Sequence, residues 1–287
     1  AGSALLTLLL AGWPLLKAIE LNRFEALPNS KVAAGEYIRS QLPRGMPVAA
    51  ELNPVQWAGS PSVLPVSSLA RRDAEWYRQR GIRYLVANEH ARAKADQADF
   101  ERLRAQAAVA RSFPGNDEGH PGPHIDILDL GERLPALTPR PAQFGDQLDL
   151  LGYQRGAGEL RATLQPLDGA DRLKAGQNLL LNLYWRVKKP LGRDYALFVH
   201  LTDASGAKVA QRDAVVRQND YPTSRWQPGE LAMDMADLPL PAGLAPGTYQ
   251  LRIGLYEMET FARLPLQAPA GATGDGALIL MDVTIEP

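Results

Sequence analysis

The stretch TYQLRIGLYE, residues 248–257, constrains this chain more than any other. Tyr249, Leu251, Ile253 and Leu255 alternate with Gln250 and Arg252. A period of two sends the apolar side chains to one face and the polar ones to the other, as in a strand lying on a core. The same texture recurs in LDLLGYQR, GELRATLQPL, NLLLNLYWRV, YALFVHLTD, KVAQRDAVV, LAMDMADLPL and ALILMDVTIEP. Turn signals separate these runs: DASG, KKPLGRD, LAPG and GATGDG. Short strands with spaced turns and no convincing helix predict an antiparallel, immunoglobulin-like β-sandwich over residues 144–287.

The first half reads differently. Asn29 or Ser30 caps a helix whose apolar face carries Val32, Tyr37, Ile38 and Leu42. PVAAEL then reads as a short buried strand. SSLARRDAEWYRQRG is a second helix, capped by Ser67 or Ser68 and stopped by Gly81. IRYLVAN is a strand, ADQADFERLRAQA a helix and HIDILDL a strand. Strands alternating with helices predict a small α/β domain over residues 29–131 with at least partly parallel pairing. GERLPALTPRPAQF is rich in proline and aperiodic, so residues 132–143 are expected to form a linker. Limited cleavage is expected there, between two parts that fold separately.

Residues 1–28 are expected to form a membrane-spanning or anchoring helix. About twenty apolar residues span a bilayer, and from Ala1 to Ile19 the only charge is Lys17, near the end, where a lysine can snorkel. The lipid bilayer is thus an expected partner through residues 1–19. Trp13 suits an interface, and Pro14 would kink the helix. A retained secretion signal and a buried soluble helix are the alternatives. Ala1 in place of Met is expected of a processed chain or of a piece of a longer one.

Lys+Arg is 31 and Asp+Glu is 32, a net charge of −1, which argues against nucleic acid as a partner. The absence of cysteine excludes disulfides, thiolate metal sites and a cysteine nucleophile. No Walker loop, Gly-x-Gly-x-x-Gly or Gly-x-Ser-x-Gly occurs, and Asn88, Glu89 and His90 end a strand without a phosphate-cradling glycine. His120 and His124, with Asp117 and Glu118 nearby, have zinc-ligand chemistry but sit in a Pro-Gly loop that preorganises nothing. His200 reads as a strand-face residue. The acid pairs Asp234/Asp237 and Glu257/Glu259 read as solvated strand residues. No catalytic, cofactor-binding or metal-binding set is assigned, and no cofactor is expected.

YPTSRWQPGE, residues 221–230, is the stretch with a functional alternative. Tyr221, Arg225 and Trp226 are candidate glycan or partner contacts, with Tyr256 and Trp185 as further rings, Trp185 being placed in the core. In the other reading the stretch is a stiff corner: Pro222 and Pro228 fix the backbone, QPGE turns with Gly229 at positive φ, and Trp226 caps the sandwich core.

FGDQLDLLGYQ, LNLYWRV, DYALFVHLTDASGAKVAQRD, YPTSRWQPGE, LPLPAGLAPGTYQLRIGLYE and ARLPL occur in this order, after the apolar start and AGEYIRSQLPRGMPVAAE. Together they resemble the C-terminal extracytoplasmic region of multi-spanning bacterial membrane glycosyltransferases of the protein-mannosyltransferase type, as in Chloroflexota-like bacteria. The resemblance runs from about Leu5 to Ile285. It implies a polyprenyl-phosphate sugar donor and catalytic acids in a membrane domain that this chain lacks, so no catalytic residue carries over. Lys17 and Arg23 would fall outside the membrane, against the positive-inside tendency, which leaves open an independent single-anchor protein built from the same modules.

The expected function is a non-catalytic, membrane-anchored extracytoplasmic module with an accessory or interaction role. One alternative is the C-terminal part of a glycosyltransferase. The other is a structural subunit of a larger membrane or surface assembly, partnered by other membrane protein subunits. The expected location is the cell membrane, with the bulk of the chain on the extracytoplasmic side.

Overall fold

The computed structural model describes residues 16–43, 45, 47–51, 63–89, 96–158, 172–216, 221–268 and 270–287. Residues 16–25 are helical, here α1. On it Leu16 is 59% exposed, Ile19 41% and Leu21 56% among the described residues. No helix among the described residues is long and apolar enough to cross a membrane, and Trp13 and Pro14 lie outside them.

Helix α2 (Ser30–Gln41) starts where Asn29 accepts from the Lys31 amide. Its buried stripe is Ser30, Ala34, Gly35 and Ile38, which repeats at helical spacing. Val32 is off that stripe and 61% exposed, contrary to expectation. Strands β1 (Val48–Glu51), β2 (Val63–Val66), β3 (Tyr84–Asn88), β4 (Ala108–Phe113) and β5 (Ile125–Asp129) form one sheet in the order β2-β1-β3-β5-β4. β1 pairs in parallel with β2 and β3, and β5 runs antiparallel to β3 and β4. The helix expected between Ser67 and Gly81 is split. A 3-10 turn covers Leu69–Arg71, and α3 (Ala74–Arg78) starts at Asp73, which accepts from the Trp76 amide at 2.8 Å. Asp73, not Ser67 or Ser68, is therefore the cap, because it sits three residues before a free amide. Gly81 ends the unit at φ 67°. Helix α4 spans Gln97–Arg104 and buries Phe100 and Leu103.

The second half is a β-sandwich. Its strands are β6 (Thr138–Phe144), β7 (Leu148–Ala157), β8 (Arg172–Lys174), β9 (Asn178–Val187), β10 (Tyr195–Thr202), β11 (Lys208–Val215), β12 (Leu231–Pro239), β13 (Gly247–Glu257), β14 (Leu266–Gln267) and β15 (Leu278–Glu286). The two sheets run β11-β10-β13-β15-β8 and β12-β9-β7-β6-β14. Their facing side chains form one core that includes Trp185, Leu183, Val199, Leu251 and Ile253. The sandwich is not wholly antiparallel, since β8 pairs in parallel with β15. Part of the expected linker is strand: residues 138–144 pair with β7, and the register slips between Pro139 and Ala142. β14 covers only Phe144 and Gln143, so the prolines lie along an open edge, where their missing amides break no ladder. The expected strand GELRATLQPL falls almost wholly outside the described residues.

The α/β sheet is buried on both faces. Val48, Ala50, Val86 and Ile127 pack under α2. On the other face Ala49, Leu85 and Leu128 cluster with Tyr77, Phe100 and Leu103, and with three residues of the sandwich, Tyr184, Leu231 and Met233. Those three belong to the outward set of β9 and β12, whose inward set (Leu183, Trp185, Ala232, Ala236) fills the sandwich core. Gln154 adds a polar clip: its Oε1 accepts from Asn182 at 3.3 Å and from Tyr184 at 3.2 Å, and its Nε2 donates to the Ala136 and Gln79 carbonyls at 3.3 and 3.4 Å.

Gly45 sits where the two halves meet. A Cβ there would lie 2.7 Å from Glu230 Oε1, 2.9 Å from Ala232 Cα and 2.9 Å from the Leu231 carbonyl. Because two of these are backbone atoms, Gly45→Ala should cost about 1–3 kcal/mol in urea unfolding. Gly243→Ala, whose Cβ would meet nothing within 4 Å, should change stability far less.

Candidate functional site

The stretch from Tyr221 to Glu230 is a corner, and its own side chains hold it. Thr223–Arg225 form a 3-10 turn after Pro222. Thr223 Oγ1 accepts from the Tyr195 amide at 2.8 Å and donates to the Arg193 carbonyl at 2.9 Å. Trp226 is 1% exposed, and its indole N–H donates to the Tyr221 carbonyl at 3.0 Å. Tyr221 is also buried, with its hydroxyl 2.9 Å from the Arg225 carbonyl and 2.9 Å from Glu230 Oε2. The QPGE turn closes through Glu230 N to the Gln227 carbonyl at 3.0 Å, with Gly229 at φ 85°. The corner half of the sequence alternative is thus what forms. Neither ring presents a face for stacking, and of the three candidate contacts only Arg225 is exposed.

That corner is one wall of a cleft of about 790 Å³. The facing wall is the end of α2, Arg39 to Pro43, and the floor includes Tyr84, Leu42 and Leu231. Four guanidinium side chains line it, from Arg39, Arg83, Arg133 and Arg225, against the carboxylates of Glu132 and Glu230. Arg83 forks onto Asp129 at 2.8 and 2.7 Å. The hydrogen bond to Asp129 raises the Arg83 pKa; burial pulls Asp129 up, but Arg83 outweighs it and holds that carboxyl below its ordinary value. Arg133 pairs with Glu75 at 3.0 Å. Arg225 makes no ion pair among the described residues. Arg39, Arg83, Arg133 and Glu132 were not singled out in the sequence. Apart from the neighbours Glu132 and Arg133 they come from separate segments, and no local spacing brings them together.

The other candidate residues are structural. His124 Nε2 lies 3.1 Å from Asp126, and its Nδ1 contacts Glu118. The two carboxylates take opposite edges of the ring, so they do not converge on one point, and no group of three metal-ligating side chains occurs among the described residues. Glu89, expected on a solvated loop, accepts from the His124 amide at 2.6 Å. The Asn88 amide donates to buried Glu51 at 2.7 Å, and His90 lies outside the described residues. His200 stands on the outer sandwich face 3.3 Å from Asp213. Asp234 is buried, and Asp237, three residues on, falls on the opposite strand face. Glu257 is engaged by Arg193 and Thr260, while Glu259 is exposed. Trp185 is core, edge-on to Phe144 at 5.3 Å. Tyr256 stacks at 5.9 Å on Phe261, which is 73% exposed and has φ 58°.

No family model matches the chain, and no curated protein does. Among solved structures it is similar to the C-terminal domain of Wzt, at TM-score 0.36 and 10% identity over 53% of this chain and 82% of that one. It is also similar to an immunoglobulin-like protein from Pseudomonas aeruginosa, at 0.26 and 12% over 49% and 97%. A third is the β-glucuronidase of Bacteroides uniformis, at 0.22 and 10% over 54% and 19%.

Trp226→Ala should lower stability by about 3–5 kcal/mol, the range for emptying a buried aromatic site, in equilibrium unfolding of the purified protein. The His124 cluster should show in a pH series. Burial pulls the His124 pKa down, but hydrogen bonds to Glu118 and Asp126 outweigh it and raise it above the ordinary 6.5. The His124 hydrogen bond lowers Glu118 below its ordinary 4.5. A raised histidine contributes stability that is complete below 6.5 and is lost as pH rises through the folded value; a lowered carboxylate contributes above 4.5 and loses it as pH falls. The pair therefore contributes fully between those two values. Against His124→Gln, the wild type should be more stable near pH 5.5, and that advantage should shrink as pH rises above the ordinary histidine range. His200, pushed down by burial and by Lys208, acts in the opposite direction in both proteins, so the difference between them is the readout.

Proposed function

We propose that the chain is a non-catalytic, membrane-anchored extracytoplasmic module with an accessory or interaction role. The observation that carries this reading is α1. Its Leu16, Ile19 and Leu21 are exposed, they continue the apolar run of residues 1–15, and no part of the described chain covers them. Exposing such a stripe to water is unfavourable by about 25 cal/mol per Å² of apolar surface, so a lipid environment is its natural cover. The engagement of Asp237, Glu257, His124 and His200 by neighbouring side chains supports a role in holding and positioning.

A second reading makes the module the C-terminal part of a polyprenyl-phosphate-dependent membrane glycosyltransferase. It is favoured by where the resembling stretches fall: LNLYWRV, DYALFVHLTDASGAKVAQRD and YPTSRWQPGE are β9, the β10–β11 hairpin and the corner. The mass of the native gene product separates the two. A product several helices larger favours the transferase, and one equal to this chain favours the single-anchor module.

A version beginning at Asn29 should stay in the aqueous phase without detergent, whereas the full chain should pellet with membranes. Partition of the shortened version into membranes would place the anchor elsewhere and remove the basis of this reading.

A further inference from the structure

We propose that the cleft between the corner and the end of α2 is a binding site for a small hydroxylated anion, a sugar acid or a sugar phosphate. Its volume, about 790 Å³, lies inside the roughly 300–1,000 Å³ typical of small-ligand sites. It is also a junction between two packed layers, where such sites concentrate.

The charge of the lining decides the ligand's sign. Four arginines face two glutamates, and both glutamates are already satisfied. Glu230 accepts from the Gly45 amide at 2.7 Å and from the Gln227 amide at 2.9 Å. Glu132 takes Arg186 at 2.6 Å and lies 3.8 Å from Arg83. With their partners counted, Arg39, Arg83, Arg133, Arg186 and Arg225 face Glu75, Asp129, Glu132 and Glu230, so the cleft keeps a small positive excess in a chain whose net charge is only −1. Arg225 is the cation with capacity to spare. It is exposed and makes no ion pair among the described residues, yet its backbone is held on both sides by Thr223 and Trp226. On a fixed turn only the side-chain torsions of Arg225 remain to be ordered, and its planar guanidinium can fork onto a carboxylate or phosphate.

The neutral lining decides the rest of the ligand. Gln41, Ser224 and Gln227 offer donors and acceptors suited to hydroxyl groups. Pro43 and Pro228 offer flat C–H surface but no exposed aromatic ring. That set fits a hydroxylated ring with an acidic group better than an aliphatic or aromatic acid. The inference does not depend on the anchoring reading and concerns a different part of the chain.

Calorimetric titration of the full chain in detergent tests it, with galacturonate, glucose 1-phosphate, neutral glucose and inorganic phosphate as separate titrants. The expected result is saturable binding of galacturonate or glucose 1-phosphate, the tighter of the two identifying the acidic group. Glucose and inorganic phosphate should each bind about tenfold more weakly or worse. Arg225→Gln, a surface change, should weaken the sugar anion about tenfold with the melting temperature unchanged. Arg133→Gln, elsewhere in the lining, serves as a second variant. The proposal is overturned if neither sugar anion binds, if inorganic phosphate binds as tightly as the sugar phosphate, or if both variants bind like the wild type.

Discussion

The carboxylate of Glu230 is the point on which the arrangement turns. One oxygen accepts from the Gly45 amide, and the other accepts from Gln227 and meets the Tyr221 hydroxyl. The same side chain therefore closes the corner and joins the sandwich to the segment between α2 and β1. Three polar partners around one half-buried carboxylate satisfy it where solvent is partly excluded. The Met233 amide, donating to the Gly45 carbonyl at 2.9 Å, completes a two-way clasp. Beside it Tyr184, Leu231 and Met233 bury their side chains against the α/β sheet. The hydrogen bonds set the register of the two halves, and the apolar contact holds them.

Docking makes the cleft. Arg225 stands on the sandwich and Arg39 on α2, and the packing of the two halves brings their walls to face each other. A site of this kind has no motif. Its charge comes from single arginines far apart in the chain, and its stiffness comes from prolines, a buried indole and a 3-10 turn. A ligand touching both walls would bind the docked arrangement in preference to an undocked one and so stabilise it.

Much of the fold was legible. β13 declared itself by alternation, and β9 by an apolar run too continuous for a strand with one wet face; the extra face is the one that meets the α/β layer. Five strands were not legible, each for a physical reason: β8 and β14 are only three and two residues long. β4 is exposed at every position but Phe113, so it carries no buried period. β2 is four residues long and contains Pro65. β6 holds two prolines along an open edge, which gives it the texture of a linker. At the site, the stiff corner and the positive φ of Gly229 could be read from PTSRWQPGE. The partners Gly45 and Arg39 could not, because they lie some 180 residues away and nothing local marks them.

Against the expectation that the two parts fold separately, the Glu230 clasp and the outer face of β9 and β12 should make the α/β layer and the sandwich one cooperative unit. Differential scanning calorimetry of the chain tests this directly. The account predicts a single transition whose calorimetric enthalpy equals its van't Hoff enthalpy. Two resolved transitions, the lower one melting the α/β layer while the sandwich stays folded, would contradict it.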